Sequence, residues 1–120
     1  MTTVLVIDDS PSEMAKFRDM LARHNFKVLE VMNGEQGCQM AADHLPDVIL
    51  MDIVMPEMNG FQATRKITRG KTTAHIPVIM ISTKNQETDK VWGKRQGAKE
   101  YMSKPVNESE LVNLIQKVMG

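Results

Sequence analysis

The chain has 120 residues, 42% of them hydrophobic, which suits one domain with a buried core and argues against disorder. Lys plus Arg and Asp plus Glu stand at 15 each, so the net basic charge of a dedicated polyanion binder is missing. No apolar run reaches the ~20 residues of a membrane span, the start MTTVLVIDD lacks the basic region of a secretory signal, and the single cysteine, Cys38, allows no internal disulfide, so the expected setting is reduced and cytoplasmic.

The first apolar run, Val4–Ile7, is unbroken, as in a strand covered on both faces. Ser10-Pro11-Ser12-Glu13 reads as the N-cap, N1 proline and N3 glutamate of a capping box. Met14, Phe17 and Leu21 then mark one face of a first helix. Val28–Val31, interrupted by Glu30, reads as an edge strand. Cys38, Ala41, Ala42 and Leu45 mark a second helix, and Val48–Met51 is a second unbroken run. Met58-Asn59-Gly60 opens a third helix, with Phe61, Ala63, Thr64 and Ile67 supplying its apolar face. Val78–Ile81 is the third unbroken run.

The segment from Gln86 to Gln96 is the weakest helix. Its only large apolar residues are Val91 and Trp92, and Gly93 in its interior costs about 1 kcal/mol relative to alanine. Trp92 suits either a partner contact or packing over that helix. Glu100–Ser103 reads as a second edge strand. Asn107 caps the last helix, whose apolar face is Leu111, Leu114, Ile115 and Val118.

Five strands alternating with five helices imply an α/β domain. The expected architecture is a doubly wound, flavodoxin-like parallel sheet in the order 2-1-3-4-5, with the broken strands at its edges. No linker, repeat or low-complexity segment divides residues 1–120, which read as a single domain. Most of the 11 methionines, against five aromatic residues, read as soft filler of a small core. Cys38 fits that core, and His24, His44 and His75 share no metal-ligand spacing.

In open parallel sheets, ligands bind beyond the carboxyl ends of the strands. Asp8-Asp9 follow the first strand, Asp52 the third, Ser82-Thr83 the fourth and Lys104-Pro105 the fifth. Clustered carboxylates repel one another unless a cation neutralises them. Hard oxygen donors with room for water suit Mg²⁺. One carboxylate could then act as a nucleophile on phosphorus, with a lysine and a hydroxyl on the phosphoryl oxygens.

This set, with the loop Asp52-Ile53-Val54-Met55-Pro56-Glu57-Met58-Asn59-Gly60, resembles the receiver domain of bacterial response regulators over the whole chain. The resemblance implies that Asp52 accepts a phosphoryl group from a histidine kinase or a histidine phosphotransfer domain. It makes Asp8, Asp9, Asp52 and the Val54 carbonyl the Mg²⁺ ligands. It puts Lys104 on the phosphoryl group, makes Ser82 and Tyr101 the switch pair, and makes the Lys104-Pro105 peptide cis. Tyr101 as a half-buried edge-strand residue is the plainer alternative, and Ser82 or Thr83 could also cap the following helix.

The stretches Asp8–Pro11, Gly60–Arg65 and Thr83–Ala98 are similar to a subgroup of stand-alone receivers in chemosensory-like pathways controlling type IV pilus twitching motility. A monomeric receiver without an output domain would act through an effector on the face of the fourth helix, fifth strand and fifth helix. Alternatively, it would drain phosphate from a kinase. Nucleic acid and membrane insertion are not expected. The resemblance also implies that Val54 and Lys84 flank the path of a hydrolytic water, and Val54 has no group to orient one, so slow self-dephosphorylation is expected rather than enzymatic turnover.

Two other classes fit less well. A flavodoxin-like cofactor carrier needs a Ser/Thr/Gly phosphate loop after the first strand, where Asp8-Asp9 would repel a phosphate. An aspartate-nucleophile phosphatase needs a D-x-D pattern, which Asp8-Asp9-Ser10 lacks.

Overall fold

A computed structural model describes residues 1–120. The elements run in strict alternation: β1 (Thr3–Ile7), α1 (Pro11–Ala22), β2 (Lys27–Val31), α2 (Gly34–His44), β3 (Val48–Met51), α3 (Gly60–Thr68), β4 (Val78–Ser82), α4 (Glu87–Arg95), β5 (Glu100–Ser103) and α5 (Glu108–Met119). All five strands are parallel, in the order β2-β1-β3-β4-β5. The unbroken apolar runs occupy the three inner positions because both their faces are covered. No helix is long and apolar enough to cross a membrane.

Alternate strand residues feed two cores. Val4, Val6, Val48, Leu50, Ile79 and Ile81 face α1 and α5, where Phe17, Leu21, Leu111 and Ile115 fill the space. Leu5, Ile7, Ile49, Met51, Val78 and Met80 face the other side, against Cys38, Ala41, Ala63 and Ile67. The two sides pack differently. Large side chains hold α1 and α5, whereas α2 approaches the sheet through Gly37 and meets Met58, in the loop before α3, through Gly34. A Cβ on Gly37 would lie 2.5 Å from Ile7 Cδ1.

Three local readings need correction. The inner face of α2 is Gly34, Gly37, Cys38 and Ala41, while Ala42 is exposed. Leu45 is not on that face either: it ends the helix in the left-handed region at φ 45° and stays 48% exposed. At α1, Ser10 caps the Glu13 amide, but Glu13 does not reciprocate, because the Ser10 amide donates to Asp8 Oδ1 at 2.9 Å. At α4, neither Ser82 nor Thr83 is the cap: the N-cap is Gln86, whose amide donates to Asp89 Oδ2 at 3.3 Å.

Candidate functional site

Asp8, Asp52 and Lys104 each sit one position past the end of a strand, held there by a backbone hydrogen bond to the neighbouring strand, and Asp9 follows Asp8 directly. The Asp8 amide donates to the Val31 carbonyl, the Asp52 amide to the Ile7 carbonyl and the Lys104 amide to the Ser82 carbonyl, at 3.1, 2.9 and 3.0 Å. The sheet therefore brings together residues distant in sequence. Carboxylate oxygens of Asp8, Asp9 and Asp52 all lie within 4.8 Å of one another. Asp8 and Asp52 are buried, and Asp9 is exposed.

Lys104 enters the cluster from β5. Its Nζ donates to Asp8 Oδ2 at 2.9 Å and lies 3.6 Å from Asp52 Oδ1. Three carboxylates against one ammonium leave two uncompensated negative charges. Burial, then the nearby Asp8 charge, pushes the Asp52 carboxyl up to about 6, against a pull the other way from Lys104. Burial alone would lower the Lys104 ammonium, but the hydrogen bond to Asp8 and the charge of Asp52 hold it above its ordinary value. An all-oxygen donor set, two surplus charges and one donor open to solvent fit a small divalent cation such as Mg²⁺.

The remaining side of the site is a chain of backbone contacts. Ser82, buried at the end of β4, accepts from the Lys84 amide at 3.2 Å. The Lys84 carbonyl accepts from the Tyr101 hydroxyl. Tyr101 pairs with Met80 in register and packs its ring on the core. Burial and the charges of Asp89 and Asp52 push its phenol up to about 12. Thr83 is exposed and takes no part in these bonds. The Lys104-Pro105 bond is cis. Val54 projects its side chain into solvent, 60% exposed, in the loop before α3.

The sequence did not single out Gly60 as part of the site. A Cβ there would lie 2.1 Å from the Asp52 carbonyl oxygen, and the Gly60 amide donates to the Ile53 carbonyl at 2.8 Å. The amino end of α3 thus sits directly on the backbone that carries Asp52. In the sequence Gly60 reads as a helix start and as the last residue of the loop that carries the family resemblance, with no part in the site given to it.

The family model of the response regulator receiver domain matches residues 4–116. The chain is a response regulator receiver domain. This receiver is 54% identical over 120 residues to Protein PilH of Pseudomonas aeruginosa, covering 100% of this chain and 99% of that one. Several other curated relatives are longer, and the receiver spans less than half of their length. Among solved structures, chemotaxis protein CheY4 of Vibrio cholerae superposes with a TM-score of 0.92 at 29% identity, covering 98% of each chain. The receiver domain of a sensor histidine kinase of Pseudomonas aeruginosa, solved with magnesium coordinated in its active-site cleft, gives a TM-score of 0.92 at 27% identity, covering 99% and 98%. The receiver is thus part of a signalling protein. Domains of its kind take phosphoryl groups from histidine kinases or phosphotransfer proteins, and bind Mg²⁺ in an acidic pocket.

Proposed function

We propose that this receiver is a phosphorylation-dependent switch whose phosphoacceptor is Asp52. The observation that carries the reading is the convergence of three carboxylates and Lys104 at one end of the sheet, with Asp52 within reach of the lysine. An Asp52 carboxylate oxygen attacks the phosphorus of a phosphohistidine. The new P–O bond forms as the P–N bond breaks, and the released imidazole takes up a proton. Asp8 and Asp9, with Asp52 and the Val54 carbonyl, would hold Mg²⁺, which supplies charge neutralisation at the phosphoryl oxygens. Lys104 contributes its ammonium to the same oxygens. The Ser82 hydroxyl, at the floor of the site, donates to the phosphoryl group when it leaves Lys84.

That exchange couples to the surface. When Ser82 turns to the phosphoryl group, the Lys84 amide loses its acceptor, and the Tyr101 hydroxyl is bonded to the same residue. The switch therefore reads out on α4, β5 and α5, where an effector would dock. Drainage of phosphate from a kinase is the second reading. The two differ in whether phosphorylation raises affinity for a partner other than the kinase. We place the receiver in a chemosensory-like pathway controlling type IV pili, on its likeness to that subgroup over Asp8–Pro11, Gly60–Arg65 and Thr83–Ala98. It acts as a monomeric signalling protein rather than as a turnover enzyme, and with Val54 beside the site its self-dephosphorylation is slow.

The test is to incubate the protein with Mg²⁺ and a small phosphodonor or beryllofluoride. The expected result is a mass increase of one phosphoryl group for the donor and a change in Trp92 fluorescence for either reagent. Both are lost in Asp52→Asn. A wild-type protein that shows neither response would sink the reading.

A further inference from the structure

The net neutrality of the chain conceals a segregation of charge. Residues 58–99 carry nine of the 15 Lys and Arg but only two of the 15 Asp and Glu, and no acid occurs between Glu57 and Glu87. The fold concentrates many of these cations. The Thr68 hydroxyl donates to the Gln96 carbonyl at 2.6 Å. A Cβ on Gly97 would lie 2.6 Å from Thr68 Oγ1. The carboxyl ends of α3 and α4 are therefore pinned together, with Arg65, Arg69 and Lys71 exposed on one side and Lys94, Arg95 and Lys99 exposed on the other.

The arginines show the same division. Arg18 and Arg23 each hold a glutamate, Glu30 and Glu108. Arg65, Arg69 and Arg95 pair with no carboxylate of the chain. Beside them, Val91 and Trp92 are 47% and 49% exposed. These two line a surface cavity of about 310 Å³ together with Glu87, Thr88 and Arg95.

We propose that the joined carboxyl ends of α3 and α4 form a docking face for an acidic segment of a partner protein. Its carboxylates meet Arg65, Arg69 and Arg95, and one of its apolar side chains seats against Val91 and Trp92. An arginine presents a planar fork that matches a carboxylate. Trp and Arg are among the residue types enriched at the hot spots of interfaces. A lipid surface is the poorer occupant, because an interfacial anchor needs a broad apolar face and only two half-exposed apolar side chains stand here. A nucleic acid is disfavoured by Glu87 on the rim of the apolar cavity. The face shares α4 with the effector surface proposed above but does not depend on phosphorylation.

Trp92 is the only tryptophan, so its emission reports on this face directly. The full-length, unphosphorylated protein is titrated with a helical peptide bearing leucines on one face and glutamates on the other. The expected result is a saturable blue shift of Trp92, weakened at least tenfold in the double variant Arg69→Glu/Arg95→Glu and unchanged in Lys27→Glu on β2. Circular dichroism checks that both variants remain folded. A peptide with lysines in place of glutamates should not bind. No saturation, equal affinity of the double variant, or tighter binding to phosphatidylglycerol vesicles or duplex DNA overturns the proposal. Because no phosphodonor is present, such a failure leaves the Asp52 reading untouched.

Discussion

Helix α1 drives Met14, Phe17 and Leu21 into the sheet, whereas α4 buries nothing larger than Gly93. The first helix follows β1, whose end carries Asp8 and Asp9; the second leads into β5 and Tyr101. One end of the site is thus mounted on a frame held by large apolar side chains, and the other on an element with little to hold it down. The proposed switch needs both: ligands that stay aligned while charge arrives, and a surface that can take a second position at low cost.

The comparison can be broken in several places. The largest effect is expected from Phe17→Ala, which leaves a cavity beneath α1 and should cost about 3–5 kcal/mol in urea denaturation. A loss under 1 kcal/mol would mean the frame is not where the stability lies. Gly37→Ala should cost about 1–3 kcal/mol, because its Cβ meets a fully buried Ile7 that has no room to yield.

The carboxylates test the same rigidity. Only an unyielding frame holds three of them together before a cation arrives. The Asp52 carboxyl titrates near 6, above its ordinary 3.8, so it is protonated below that pH and cannot bind metal. Mg²⁺ affinity, followed by Trp92 fluorescence or calorimetry, should therefore fall about tenfold per pH unit below pH 6 and level off above it. Affinity that stays flat down to pH 4.5 would show that Asp52 swings free.

The smallest effects belong to α4. At Gly93 an added Cβ meets Met80 Sδ at 2.7 Å, in a side chain that is buried but unbranched and flexible. Alanine recovers about 1 kcal/mol of helix propensity, so Gly93→Ala should be close to neutral in stability. Trp92→Ala should change it by less than about 0.5 kcal/mol. A loss of several kcal/mol from either would place α4 within the rigid part of the molecule.

The strands and their order were legible because burial on both faces leaves unbroken apolar runs, and Glu30 and Glu100 mark the edges. The residues of the site were legible because chemistry at the strand ends uses distinctive side chains. The inner face of α2 was not, since apolar periodicity cannot register Gly34 and Gly37, and it substituted Ala42 and Leu45. Nor could spacing show that Lys104 sits closer to Asp8 than to Asp52, or that Asp8 takes the Ser10 amide and leaves Glu13 without a capping role. Those are competitions among donors and acceptors, decided only once the chain is folded. The balanced charge was misleading in the same way: the totals cancel, while the three-dimensional arrangement separates them.

Lys84 meets Ser82 and Tyr101 through its amide and its carbonyl, never through its side chain. On the proposed switch, a message between the two would pass through main-chain torsions at a single residue. The Lys84 side chain lies outside that link and reaches Asp89 instead, at 3.9 Å. Only an imino acid is barred from the position, since it would cut the line while leaving every functional group of the site intact.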